Sequence, residues 1–238
     1  PFHAGYLHHQ STVKTSLIRE LVFGLEDGMV STLGAITGIA TSSRSYFTVV
    51  LSGLVIVAVE SISMAVGSYL SSKSGHSIDE RKIEEEKEEL QKYPKEEKEE
   101  LMEYLVKDGW SQKMAIAMAE EAGKNKELML KEMTYRELNV VPDEMESPLR
   151  NGLVMGGSYV FGGAIPLLPY LFLDVLSAIP ISIVITLFGL FVLGSYTTKF
   201  SKRSWWKAGL EMLGLASAAA LAGYIVGQAV NTWWLGRR

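Results

Sequence analysis

Five stretches of the chain are mainly apolar: about Leu17–Thr41, Tyr46–Leu70, Leu149–Leu173, Val175–Tyr196 and Trp206–Trp233. A helix needs ~20 mainly apolar residues to cross hydrocarbon, so the pattern predicts five membrane-spanning helices. The fifth has Trp205/Trp206 at one end and Trp233/Trp234 at the other. At helical rise these pairs lie ~40 Å apart, matching a bilayer with its interfacial zones. A large soluble protein with buried helices is the alternative, but five runs of this length are hard to bury otherwise.

Between the second and third stretches the pattern turns polar and helical. Span two is expected to continue through "SSKSGHSIDERKIEEEKEELQK", since no proline interrupts it before Pro94. A second helix starts after Pro94 and stops at Gly109, a left-handed position. Ser111 caps a third, closed by Gly123, and a fourth runs roughly from Asn125 to Asn139. "VVPDEMESP" links back to the apolar part. Leu101, Leu105, Met114, Ile116, Met118, Leu128 and Leu130 are the expected small core.

Charge follows the same division. Lys73–Arg150 holds 14 Lys/Arg and 21 Asp/Glu, a local balance of −7, against +3 for the remainder. One third of the chain is an acidic module, and the overall −4 describes neither part. The absence of Cys excludes disulfides and thiolate metal sites. No cleavable signal peptide is visible in the apolar pattern. Lys/Arg in short connections sets orientation. Lys199, Lys202, Arg203 and Lys207 follow span four, and Lys14 and Arg19 precede span one. Only Arg44, Asp174, Arg237 and Arg238 fall on the other side. The N-terminus and insert are therefore expected in the cytosol and the C-terminus across the membrane.

Candidate chemistry starts in span one. Glu20, Gly24, Asp27, Ser31, Gly34 and Gly38 recur at spacings of four, three, four, three and four, which puts all six on one helix stripe. Small residues allow a neighbouring helix to approach, which would bury Asp27 against protein, with Glu26 pointing elsewhere. An ionisable group at this depth costs ~2.5–3.5 kcal/mol or more and commonly marks an ion or proton path. A protonated Asp in an interhelical hydrogen bond is the plainer alternative. On span two, Glu60 and Met64 share a face, with Ser68 and Ser71 further along it. Carboxylate beside thioether leans toward a transition metal, although a Met on an apolar helix is commonly packing. Span three has prolines at 166 and 169, expected to kink it and free carbonyls, and Met155 is a further soft donor or packing residue. Ala216, Ala220, Gly223 and Gly227 read as a packing face of span five, with Glu211 off it.

In the insert, Glu86 and Glu89 share one helix face and Glu97 and Glu100 another; the Pro94 turn could bring them together. Converging carboxylates make a divalent-cation site, with Met133 and Glu137 able to complete it, although a run of acids is more often a solvated face. His3, His8 and His9 lie in a polar tail, and His76 has no evident partner. There is no phosphate-binding Gly loop, nucleophile constellation or nucleic-acid surface, so neither an enzyme nor a nucleic-acid partner is expected.

"FGLEDGMVSTLGAITG", "ESISMAVGSYLSSKS", the Glu-rich insert and "LGLASAAALAGYIVG" together resemble the vacuolar iron transporter family of plants and its fungal and protist relatives. The resemblance implies a homodimer of five-span subunits with the ion path at or near their interface. It implies movement of Fe²⁺, with Mn²⁺ as a further candidate, from cytosol into the vacuole in exchange for protons. It assigns Asp27, Glu60 and Met64 as transmembrane ligands, and Glu86, Glu89, Glu97, Glu100, Met133 and Glu137 as ligands of the insert. Thr134 stands where the resemblance leads one to expect a second Met.

The expected architecture is all-α: a cytosolic tail 1–16, spans 17–72, an acidic helical metal-binding insert 73–148, and spans 149–238 in a multi-pass vacuolar membrane protein. No permanently bound cofactor is expected; Fe²⁺ or another divalent metal is the transported and regulatory ligand, H⁺ the coupling ion, and lipid and a second subunit the partners. The alternatives are a channel without proton coupling, or a membrane-anchored metal sensor or store.

Overall fold

The computed structural model describes residues 15–140, 147–201 and 203–232, and all regular structure among them is helical. His3, His8, His9, Lys14, Lys202, the terminal Trp233/Trp234 pair, Arg237, Arg238 and the link at 141–146 lie outside the described residues. Eight α-helices follow in order: α1 Thr15–Ser43, α2 Tyr46–Lys92, α3 Pro94–Lys107, α4 Gln112–Ala122, α5 Lys126–Arg136, α6 Pro148–Phe172, α7 Val175–Ser201 and α8 Trp205–Val230. Two compact units result, one from 1–70 with 149–238 and the other from 71–148.

Helices α2, α6, α7 and α8 are long and apolar enough to cross a membrane. The sequence pattern predicts a fifth such helix, α1, which is absent from that set. With 29 residues it is ~43 Å long, which is sufficient; Arg19, Glu20, Glu26 and Asp27 lower its hydropathy.

In the first unit α1 contacts neighbours along its small-residue stripe. A methyl placed on Gly24 would lie 2.6 Å from the Met155 carbonyl oxygen of α6, and one on Gly28 2.5 Å from that of Tyr159. Further along, Gly34 and Gly38 meet Ala219 and Gly223 of α8. The Gly223/Gly227 edge expected as a packing face therefore meets the far half of the α1 stripe. Helix α6 also presses on α2: methyls at Gly152 and Gly156 would lie 2.7 Å from the Ala65 carbonyl and 2.9 Å from that of Ser61. Such contacts place backbones closer than any Cβ permits, which is how small residues join helices that gain little from hydrophobic burial in lipid. Ile36, Ala40, Val49, Leu167, Tyr170, Val175 and Ala178 form one apolar cluster, and Met29, Leu190, Leu193 and Ala216 another. Met155 is buried in packing. Pro166 and Pro169 sit inside an unbroken α6, and the Ser182 hydroxyl donates to the Pro166 carbonyl at 2.6 Å.

The second unit contains the continuation of α2 with α3, α4 and α5. Pro94 opens α3, and Gly109 follows its end at φ +101°. The Ser111 side chain caps α4 by accepting from the Met114 N–H, and Asn125 caps α5 by accepting from Glu127 and Leu128. The core is Leu101, Leu105, Ala115, Ala119, Ala122, Met129 and Met133. Leu101 and Leu105 are as expected, and Met118 packs against this core half-buried. Met114, Ile116 and Leu128, expected inside, are exposed. The alanines of α4, spaced four and three, form the inward face because small side chains let α4 sit close to α3; the larger residues beside them turn out. His76, without an evident partner in the sequence, lies 3.4 Å from Glu80 one turn on.

The packing predicts opposite outcomes for one type of substitution. Gly28→Ala should destabilise by about 1–3 kcal/mol through overpacking. Gly75→Ala, on α2 with nothing within 4 Å, should be neutral or stabilise by up to about 1 kcal/mol through helix propensity. Thermal unfolding in detergent compares them, and a Gly28→Ala protein as stable as the parent would contradict the close α1–α6 approach.

Candidate metal sites

Three carboxylates meet in the insert. Glu86 on α2, Glu97 on α3 and Glu137 at the C-cap of α5 each offer an oxygen within 4.8 Å of the others. The Pro94 turn folds α3 back on α2, so Glu86 and Glu97 face each other. Arg136 fixes the third: it bonds Asp108 just beyond α3 and, at 3.1 Å, Glu132 on its own helix. Glu86 is 2% exposed and Glu97 6%, and Oε1 of Glu86 and Oε2 of Glu97 are buried without a hydrogen-bond partner. Buried acceptors left unpaired are costly. Two on facing helices are what a bound cation would satisfy, and hard oxygen donors suit a divalent ion.

Desolvation first, then the charges of Glu137 and Glu97, push the Glu86 carboxyl up to about 8. Desolvation and Glu100 raise Glu97, and the same two causes raise Glu137. Desolvation and Glu137 push up the Tyr104 phenol, which also hydrogen-bonds Glu100. Of the other expected ligands, Glu89 is exposed and Glu100 half-buried; both act on the trio through their charge. Met133 is fully buried in the apolar core, one turn before Glu137, and Thr134 beside it is buried too. The structure thus brings together three of the six insert residues.

In the other unit Asp27 is half-buried on α1, Met64 half-buried on α2, and Glu60 exposed on α2. The Asp27 carboxylate is close enough to feel the charges of Glu60 and of its half-buried neighbour Glu26. The stripe shields Asp27 only partly, since its closest contacts are made by the flanking glycines. The Ser31 hydroxyl donates to the Asp27 carbonyl at 2.6 Å and lies 2.6 Å from the Tyr159 hydroxyl of α6. With the Ser31 proton so used, Tyr159 donates to Ser31. Tyr159 is fully buried and within the electrostatic reach of Asp27 and Glu60. Sequence reasoning missed it, although a tyrosine in a Gly-rich apolar span needs a partner for its hydroxyl. Glu20 is buried and accepts from Ser68 of α2 at 2.9 Å. Glu211 pairs with Arg203 at 2.9 Å.

Residues 18–228 match the VIT family, and the chain belongs to it. It is 28% identical over 227 residues to vacuolar iron transporter 1 of Arabidopsis thaliana, covering 94% of this chain and 91% of that one. It is 28% identical over 229 residues to a vacuolar iron transporter of Centaurea cyanus, covering 95% and 93%. A vacuolar iron transporter of Toxoplasma gondii is 28% identical over 232 residues, covering 92% and 77%.

The acidic trio predicts a pH-dependent stability. A carboxyl raised in the folded state keeps its proton longer than in the unfolded chain, so metal-free stability falls as pH rises from about 4.5, the ordinary value, to about 8. Chelator-treated protein should melt lower at pH 8 than at pH 5, with the difference reduced by Glu86→Gln and reversed by added divalent metal. Equal melting at both pH values would contradict the burial of these groups.

Proposed function

We propose that this protein is a proton-coupled transporter carrying Fe²⁺, with Mn²⁺ and related divalent metals as further substrates, from the cytosol into the vacuole. Five helices, α1 included, span the membrane in this reading, with the N-terminus and insert cytosolic and the C-terminus lumenal. The observation that carries it is that Asp27 on α1, half-buried among apolar helices, lies within electrostatic reach of a carboxylate on a separate helix, Glu60 of α2. Iron as cargo follows the names of the relatives.

Asp27, Glu60 and Met64 form the shared transport site. Metal and protons compete for the same carboxylate oxygens, because a ligating carboxylate must be ionised. In an acidic lumen protons displace the metal, and at neutral cytosolic pH metal displaces protons. Glu86, Glu97 and Glu137 gather metal on the cytosolic side, with Glu89, Glu100 and Met133 around them. Glu60 is exposed on the face of α2 that also carries Met64, in a segment whose Val59, Ile62 and Val66 are exposed as well. A charge on such a face calls for cover in lipid, which favours a homodimer with the ion path near its interface.

Proteoliposomes with an acidic interior should take up Fe²⁺ faster than those without a pH gradient. Asp27→Asn and Glu60→Gln should each cut this uptake roughly tenfold or more, while Glu86→Gln lowers it less. Uptake indifferent to the gradient would make the protein a channel, and Asp27→Asn at full rate would remove that residue from the path.

A further inference from the structure

A series of buried hydroxyls runs along α6 where it meets α1 and α7, and the metal ligands leave it without a task. Helices α6 and α7 are antiparallel about the turn at 173–174, and the Ser182 hydroxyl donates to the Pro166 carbonyl at 2.6 Å. One turn toward the end of α6, Tyr170 and Ala178 share an apolar cluster. One turn the other way, the same register brings Gly162 level with Thr186. Pro166 has no N–H, so the Gly162 carbonyl lacks its helical donor. The Thr186 hydroxyl is fully buried and has no partner. From α1, the Thr32 hydroxyl is fully buried and unpartnered too, and it lies 2.9 Å from where a methyl on Gly163 would sit. One bare carbonyl and two unpaired hydroxyls thus gather at one level, and an internal water takes about two to four such partners.

The series continues in both directions. Toward the end of α6, the Tyr170 hydroxyl lies beside Ser182 without completing a hydrogen bond to it, and it is buried and unpartnered. Beyond Phe172, where α6 ends, comes the exposed Asp174. In the other direction Thr32 lies beside Tyr159, which bonds Ser31 and stands within the charge of Asp27 and Glu60. From Tyr159 to Tyr170 is three turns of α6, about 16 Å, with a hydroxyl from α1 or α7 on each turn between. The ionisable groups facing the series are Asp27 and its neighbour Glu26 on α1, Glu60 on α2 and the two tyrosines on α6. At these levels α7 contributes Ser182 and Thr186.

We propose that Tyr170, Ser182, Thr186, Thr32 and Tyr159, joined by internal water, form a proton route inside one subunit from the lumenal end of α6 to Asp27, apart from the path of the metal; this rests on the transport reading. Each hydroxyl gives its proton to the next oxygen and receives one from behind. Every O–H bond broken is therefore replaced, and the net change is one proton added to the Asp27 carboxylate. Chains of this kind serve as proton relays in membrane proteins because hydrocarbon offers a proton no other support. Arriving protons and departing metal then reach Asp27 from different sides. Hydroxyls that only tied helices together would be paired across the seam, as Ser182 is with Pro166. Thr32, Thr186 and Tyr170 are not, and burying them without partners is costly.

Thr186→Val and Tyr170→Phe remove one hydroxyl each and keep the shape of the side chain, while Thr186→Ser keeps the hydroxyl. Two rates are read in proteoliposomes of the full-length protein. One is Fe²⁺ uptake driven by an acidic interior, with a dye reporting the interior pH. The other is exchange of radiolabelled against unlabelled Fe²⁺ at equal concentration and equal pH, which moves metal without net proton flow. Thr186→Val and Tyr170→Phe should each slow driven uptake and the interior pH change about tenfold, less than the ~10²–10⁴ of a positioned proton-transfer group because water partly fills the gap. Exchange should stay near the wild-type rate, and Thr186→Ser should match wild type in both. Driven uptake unchanged in Thr186→Val and Tyr170→Phe, or exchange that falls in step with it, overturns the route alone. Wild-type uptake indifferent to the gradient overturns the proton-coupled reading and the route with it.

Discussion

Carboxylate oxygens withdrawn from water must be met by something, and among the described residues several are met by no cation of the protein. Oε1 of Glu86 and Oε2 of Glu97 are buried without partners. Asp27 lies within electrostatic reach of Glu60, on a separate helix of a largely apolar unit. Among the described residues no lysine or arginine bridges the insert trio; the nearby Arg136 is committed to Asp108 and Glu132. A proton or a divalent ion remains as the partner of such oxygens, and which one is present depends on pH and on metal concentration. The proposed exchange follows from that constraint.

The helices are arranged to sustain it. Carboxylates among apolar helices need neighbours close enough to limit lipid access, and glycine supplies that closeness at Gly24 and Gly28 against α6 and at Gly152 and Gly156 against α2. Helix α6 therefore contacts both helices that carry Asp27 and Glu60, and Tyr159 fastens α6 to α1 through Ser31. In the insert the same task falls to small alanines and to caps. Ala115, Ala119 and Ala122 let α4 press onto α3, Ser111 starts α4, and Asn125 starts α5, which ends at Glu137.

Much of this was legible in the sequence, because it rests on local rules. Pro94, Gly109, Ser111 and Asn125 mark the helix ends of the insert, and the unbroken course of α2 follows from the lack of proline before Pro94. The ExxE spacing shows Glu86 and Glu97 as members of helix faces but not that those faces meet, nor that Glu89 and Glu100 stay outside the closest cluster. That depends on how α2 and α3 rotate about their axes, which local spacing does not encode. The insert core was misjudged at Met114, Ile116 and Leu128 because side-chain size was weighed over interhelical distance. Tyr159 and the Glu20–Ser68 pair were missed because both are contacts between helices distant in sequence. Span one is read from its length and mainly apolar run; by composition alone α1 falls short, because Arg19, Glu20, Glu26 and Asp27 lower its hydropathy.

The most direct test of the central claim is the count of protons released when metal binds. Full-length protein in detergent, weakly buffered near pH 7, is titrated with Fe²⁺ under anaerobic conditions while a pH indicator and free metal are read together. With Glu86 pushed up to about 8, each metal ion bound at the trio should release close to one proton or more, and the Glu86→Gln protein should release clearly fewer. Metal binding with no proton release would mean that the buried carboxyls are not held by protons in the absence of metal, and the exchange account would fail.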